Sequence, residues 1–167
     1  DGGLPNVAVH DLAIHPREKD LIVGTHGRSI YIGNVAHLQM LTGDVLAQAL
    51  HLFDTDKVTY SERWGMPGFS QWRPVNEPSQ TLPFYAKAGG DVTLALTSDK
   101  GTKVFEATVK ADKGLNYYAY DLTVTDSQVE ALKAELGEEK AKAVKKAGNG
   151  KTYVVPGTYT VTISQGG

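Results

Sequence analysis

The sequence predicts a mainly β chain that ends in a β-sandwich with a helical insertion. Three observations carry that expectation. Short β-branched runs recur between clusters of Gly, Pro and charge, apolar residues alternate with period two from Phe84 onward, and one late segment switches to helical periodicity. With 167 residues, 41% of them hydrophobic, the chain has the length and apolar content of one globular domain, or of one domain and a fragment.

In the first 40 residues, VAVHDLAI, DLIVGTH and SIYIG read as three strands, because HPREK and GR between them carry the Pro, Gly and charges of tight turns. Three strands alone are barely stable in water and leave two open edges, so this meander needs a partner sheet. Residues 41–83 follow as a short helix and a strap. Thr42 is placed to cap a helix over Asp44 to Gln48, LHLFD then turns extended, and from Thr59 the chain is rich in Pro, Gly and aromatic residues without any period.

Residues 84–167 carry the sandwich. Val92, Leu94 and Leu96 alternate against Thr and Ala, Asp99-Lys100-Gly101 turns the chain, and KVFEATVK returns. Tyr118, Tyr120, Leu122 and Val124 share one face of the next run, and Tyr159, Val161 and Ile163 share one face of the last. With YAKA and TYVV, about six strands fit into some eighty residues, the density of a β-sandwich. Tyr118, Tyr120, Tyr159, Val161 and Phe105 are its expected core. The insertion, residues 126–147, is helical: Ser127 and Glu130 have the spacing of a capping box, Val129, Leu132 and Leu136 form an apolar stripe, and Gly137 ends or kinks it. Its second half shows only Ala141 and Val144 as a weak stripe and reads as a surface helix with Glu–Lys pairs.

Composition removes several function classes. Six basic residues face nine acidic ones up to residue 83, and eleven face ten thereafter, so neither part presents the field that nucleic acid requires. The lysines of residues 140–146 follow interleaved Glu residues and read as a solvated face. Absence of cysteine removes disulfides and thiolate chemistry without assigning a compartment. No stretch approaches the ~20 apolar residues of a membrane span. DGGLPNVAV has no initiating Met and no signal-peptide pattern, so the chain reads as a mature or excised piece of a longer protein.

His10, Asp11, His15 and His26 have the residue types of a zinc site. His10 and His15 are five apart on an extended run, which points them to opposite strand faces, and His26 then meets only one of them. No metal site is expected, and hydrogen bonds from these rings to backbone at strand ends are the alternative. Ser29 opens a strand and lacks the Gly-x-Ser-x-Gly elbow of a hydrolase, and GTHGR lacks the spacing of a phosphate loop. Asp54, Asp56, Glu62 and Glu77 offer carboxylates near Trp64 and Trp72, the residue types of glycoside hydrolysis and sugar stacking. Rings in a Pro-rich strap also serve to pin it to a sheet, and burial separates the two readings.

Two segments carry a resemblance. His10-Asp11-Leu12, His15-Pro16, Gly24 to Arg28 and Ile30-Tyr31 are similar to the last blade of the sortilin-like or bacterial neuraminidase (BNR) repeat β-propellers. Gly114, Asn116, Tyr120 and Asp121, then Pro156 to Tyr159, resemble the Ig-like sandwich named after the flagellar hook-capping protein, with Tyr120 where that family usually has Trp. The resemblance implies a partial terminal blade over residues 1–40 and an Ig-like sandwich over 84–167, from an exported bacterial protein of a type often labelled glycosyl hydrolase. The implied role is a non-catalytic accessory module that braces the remaining propeller blades or presents a surface to glycan or protein. No catalytic residue and no cofactor are expected in this piece, because one blade's strands cannot enclose a sialidase-type site. The rival reading is a fragment of a sialidase-like glycoside hydrolase, with Trp64, Trp72, Arg28 and Glu62 facing substrate in a cleft shared with other blades. A carbohydrate-binding module without hydrolysis is a third.

Overall fold

The computed structural model describes residues 6–27, 29–68 and 74–166. The fold is mainly β, built from three small antiparallel sheets, and the chain divides into two compact units, residues 1–47 and 48–167.

The first unit is the expected meander: β1 (Val9–Ile14), β2 (Asp20–Thr25) and β3 (Ile30–Asn34) pair in that order. The turn after β1 closes through His15 N–H to Asp20 O at 2.8 Å, and Gly27 supplies the positive φ of 70° after β2. The register places Leu12, Val23 and Tyr31 on one face and Ala13, Ile22 and Ile32 on the other. Both faces are therefore apolar. Among the described residues of β1–β3 only Val23 is buried, whereas Leu12 is 60% exposed and Ile30 and Ile32 are each 67% exposed. Two short helices follow, α1 (Ala36–Gln39) and α2 (Gly43–Ala47). Thr42 starts α2 as expected, its carbonyl accepting from Leu46 N–H at 2.9 Å and its hydroxyl from Val45 N–H at 3.4 Å. No sequence pattern announced α1, whose first amide is held by Asn34 Oδ1 at 3.0 Å.

The second unit contains two sheets. One has the order β4 (Leu50–Leu52), β5 (Gln80–Ala86), β8 (Gly114–Tyr120); the other is β7 (Lys103–Ala111), β6 (Gly90–Ser98), β9 (Tyr159–Gln165). Two buried clusters join them. Leu82 of β5 and Tyr120 of β8 meet Leu96 of β6 and Val104 of β7 in the larger cluster. In the smaller, Phe84 and Ala86 of β5 meet Val92 and Leu94 of β6, with Leu50, Leu52 and Ile163 at its margin. The alternation read in β6 buries Val92, Leu94, Leu96 and Ser98 in turn. Tyr120 is buried as expected, and Tyr118, Tyr159, Val161 and Phe105 are half-buried against the larger cluster. A bulge admits one more core residue: Leu96 faces Phe105 while Thr97 faces Lys103, so Val104 is the extra residue, and both Val104 and Phe105 reach the same cluster.

The insertion differs in detail from its sequence reading. Asp126–Gln128 forms a 3₁₀ turn, so Ser127 sits inside that turn and makes no cap for α3 (Val129–Ala141); Glu130 instead pairs with Lys133 at 2.9 Å. Val129, Leu132 and Leu136 do face the core, with Leu132 fully buried. Gly137, at φ 74° and ψ 168°, interrupts the helix, which ends at Ala141 rather than continuing to residue 147. Beyond it, Val144 is buried in the core rather than placed on a surface helix, because the chain turns back and pairs Lys146 with Thr152. TYVV, residues 152–155, is buried but makes only isolated bridges, to Thr123 and Lys146, in place of a strand.

Leu132 is the fully buried side chain that α3 adds to the larger cluster shared by both sheets. Leu132→Ala is expected to destabilise the second unit by about 2–4 kcal/mol through the cavity it leaves, measured by urea unfolding followed by Trp fluorescence.

Candidate ligand groove beside the strap

The strap enters the second unit through a turn at Ser61–Gly65. Ser61 Oγ accepts the Arg63 amide at 3.2 Å and Ser61 O accepts the Trp64 amide at 3.2 Å, which rolls the indole inward. Gly65, at φ +72°, then donates to Asn76 O at 2.8 Å while its carbonyl accepts from Asn149 N–H at 2.9 Å. Tight packing as well as backbone conformation requires glycine here. A Cβ at this position would stand 2.5 Å from Asn149 Oδ1 and 2.6 Å from the Ala147 methyl.

Trp64 is 9% exposed, edge-on to Tyr60 at 5.1 Å and tilted against Tyr153 at 5.9 Å. Its ring belongs to the larger core cluster and leaves no open face of stacking size. A groove of about 280 Å³ runs past it, lined by Tyr60, Glu62, Trp64, Met66, Lys145 and Lys146 among others. The structure thus brings Glu62 and Trp64, two of the four candidate binding residues, to one groove. Trp72 and Arg28 lie outside the described residues.

Beside this groove a polar network clips the strap to the 147–153 loop. Lys151 Nζ lies 3.2 Å from Glu77 Oε1 and 3.1 Å from Asp121 Oδ2; Asn149 Nδ2 donates to Glu77 Oε1 at 2.9 Å and to the Tyr153 hydroxyl at 2.8 Å. Burial pushes the Asp121 carboxyl up, but hydrogen bonds from Thr123 and Lys151 outweigh it and hold the group below the usual carboxylate range. Hydrogen bonds to Asp121 and then Glu77 hold the Lys151 ammonium above its usual value. Glu77, read as one of four carboxylates suited to glycoside hydrolysis, serves here as an anchor. Asn149 and Lys151 went unnoticed in the sequence; the turn residues in AGNGK were the available signal.

Chemically the groove offers an apolar wall with one carboxylate and two ammonium groups. No histidine is among the described residues that line it, and the Ser61 hydroxyl accepts the Arg63 amide within the turn. Of the histidines, His15 Nδ1 accepts the Glu18 amide at 3.1 Å, and the His10 and His26 rings stack at 4.9 Å. Among the described residues no three His, Cys, Asp or Glu side chains converge as metal ligands, and no helix is long and apolar enough to cross a membrane. Comparison with protein-family models, curated proteins and solved structures finds no match in any of the three.

Gly65→Ala is expected to cost roughly 1–3 kcal/mol through its positive φ and the crowding at Asn149, and to open the strap to limited proteolysis before the sheets unfold. The network also sets a pH window. The lowered Asp121 carboxyl adds stability that is complete above its unfolded value of about 3.9 and is lost as pH falls through the lower folded value. The raised Lys151 ammonium adds stability that is complete below about 10.4 and is lost as pH rises through the higher folded value. Urea midpoints of Lys151→Met are therefore expected below wild type at pH 7, with the difference shrinking as pH falls through the lowered Asp121 value.

Proposed function

We propose that this chain is a non-catalytic C-terminal module of an exported bacterial propeller protein, in which β1–β3 belong to a terminal blade and the second unit is an Ig-like β-sandwich that braces the propeller or presents a surface to glycan or protein. The observation that carries this reading is the meander, whose two faces are both apolar. A sheet that only rests on one core is polar on its other face, whereas a propeller blade is packed by a neighbour on each side. Exposed Leu12 and Ile14 on one face and Ile30 and Ile32 on the other suit that double packing.

For the second unit, two three-stranded sheets that share buried clusters support a sandwich, with α3 inserted between β8 and β9. The Tyr159 hydroxyl donates to Val155 O at 2.9 Å, four residues upstream at the start of β9. That contact resembles the tyrosine corner of Ig-like sandwiches and lies in the Pro156–Tyr159 segment of the resemblance. The buried Trp64 ring weighs against the rival reading as a hydrolase fragment, since a stacking platform needs an open face.

Hydrogen exchange tests the proposal. In this chain alone, β1–β3 amides are expected to exchange at least 100-fold faster than β6 amides, and to gain protection when the blades of a longer chain are present. Equal protection of β1–β3 and β6 in this chain would show that the meander needs no neighbours and would remove the basis of the reading.

A further inference from the structure

Three of the five histidines have partners that explain them or stand apart. His15 accepts a backbone amide, His51 shares a hydrogen bond with Gln48 Oε1 at 3.1 Å, and His37 lies in α1. His10 and His26 differ. Their rings stack with centroids 4.9 Å apart and planes 25° apart, and among the described residues no hydrogen bond engages their ring nitrogens.

A bulge creates the pair. Val9 faces Thr25 and Asp11 faces Gly24, so His10 is the unpaired residue between them. His26 follows β2 directly, and its amide donates to Ala8 O at 3.0 Å, which anchors its backbone beside the bulge. Two exposed imidazoles are thus held at one end of the meander by main-chain bonds rather than by their own side chains.

We propose that His10 and His26 form a two-imidazole site for a divalent transition-metal ion of the copper, nickel and zinc class. A metal bound at about 2.0–2.1 Å to a nitrogen of each ring needs those nitrogens roughly 3–3.5 Å apart. The stacked rings hold their in-plane lone pairs side by side, so binding requires both exposed imidazoles to turn out of the stack about their broad terminal torsions. Neutral imidazole is a preferred ligand for these ions, whereas calcium and magnesium seek oxygen. With no third protein ligand among the described residues, water fills the remaining positions and the ion stays accessible.

Zinc titration followed by the ring-proton resonances of all five histidines tests this. His10 and His26 are expected to shift together along one saturation curve, well before the other three. His10→Ala and His26→Ala should each weaken binding at least tenfold, and His15→Ala should leave it unchanged. His26→Phe keeps a ring against His10 but removes the nitrogens, so it should fold like wild type and lose binding equally. Parallel shifts of all five histidines, or wild-type affinity in His26→Phe, would overturn the site.

Discussion

Burial of alternate β6 side chains is the constraint on which the second unit depends. Val92, Leu94 and Leu96 point from the centre of one sheet into both clusters shared with the other. Every further device serves that burial. The bulge at Val104 adds a side chain where the sheet would otherwise face away, and α3 lays Leu132 over the same cluster. Glu135 fixes the helix to the β6–β7 turn, accepting from the Ser98 hydroxyl at 2.6 Å while its carbonyl accepts from Lys100 Nζ at 3.0 Å. The buried Ser98 hydroxyl in turn accepts from the Thr102 amide, and among the described residues no buried side-chain nitrogen or oxygen lacks a partner.

The strap shows how a segment without periodicity is ordered. Its described residues form no ladder, and they are held by one buried indole, one glycine that fits under a loop, and one ammonium between two carboxylates. Such a mixture suits a segment that packs on the larger buried cluster while leaving a groove beside it. Tyr60 and Met66 remain accessible there because the indole between them turns inward.

The meander presents the opposite case. Its register is regular outside one bulge, yet Leu12 and Ile14 on one face and Ile30 and Ile32 on the other are exposed. Local strand chemistry forms such a sheet, and exposed apolar area favours association in general. The same bulge that interrupts β1 sets His10 against His26, one of the two pairings that strand parity left open.

Much of this was legible in the residues. The three opening strands, the Thr42 cap, the alternation of β6 and the stripe of α3 follow from period and turn chemistry, which are local. The Ser127–Glu130 box was not realised, since a 3₁₀ turn put Ser127 one step too deep in the chain. Val144 read as part of the weak stripe of a surface helix and became core because Gly137 and the following turn end that helical period. Residue types also placed Trp64 and Glu62 near one another but not the direction of the indole, which depends on Tyr153 and Asn149 some ninety residues away. Local pattern by itself determined which segments are strands and helix, because backbone preference and alternation act over a few residues. Only the tertiary structure decided which rings are buried, which carboxylate holds Lys151 and which histidines meet, because those outcomes are contacts between segments distant in sequence.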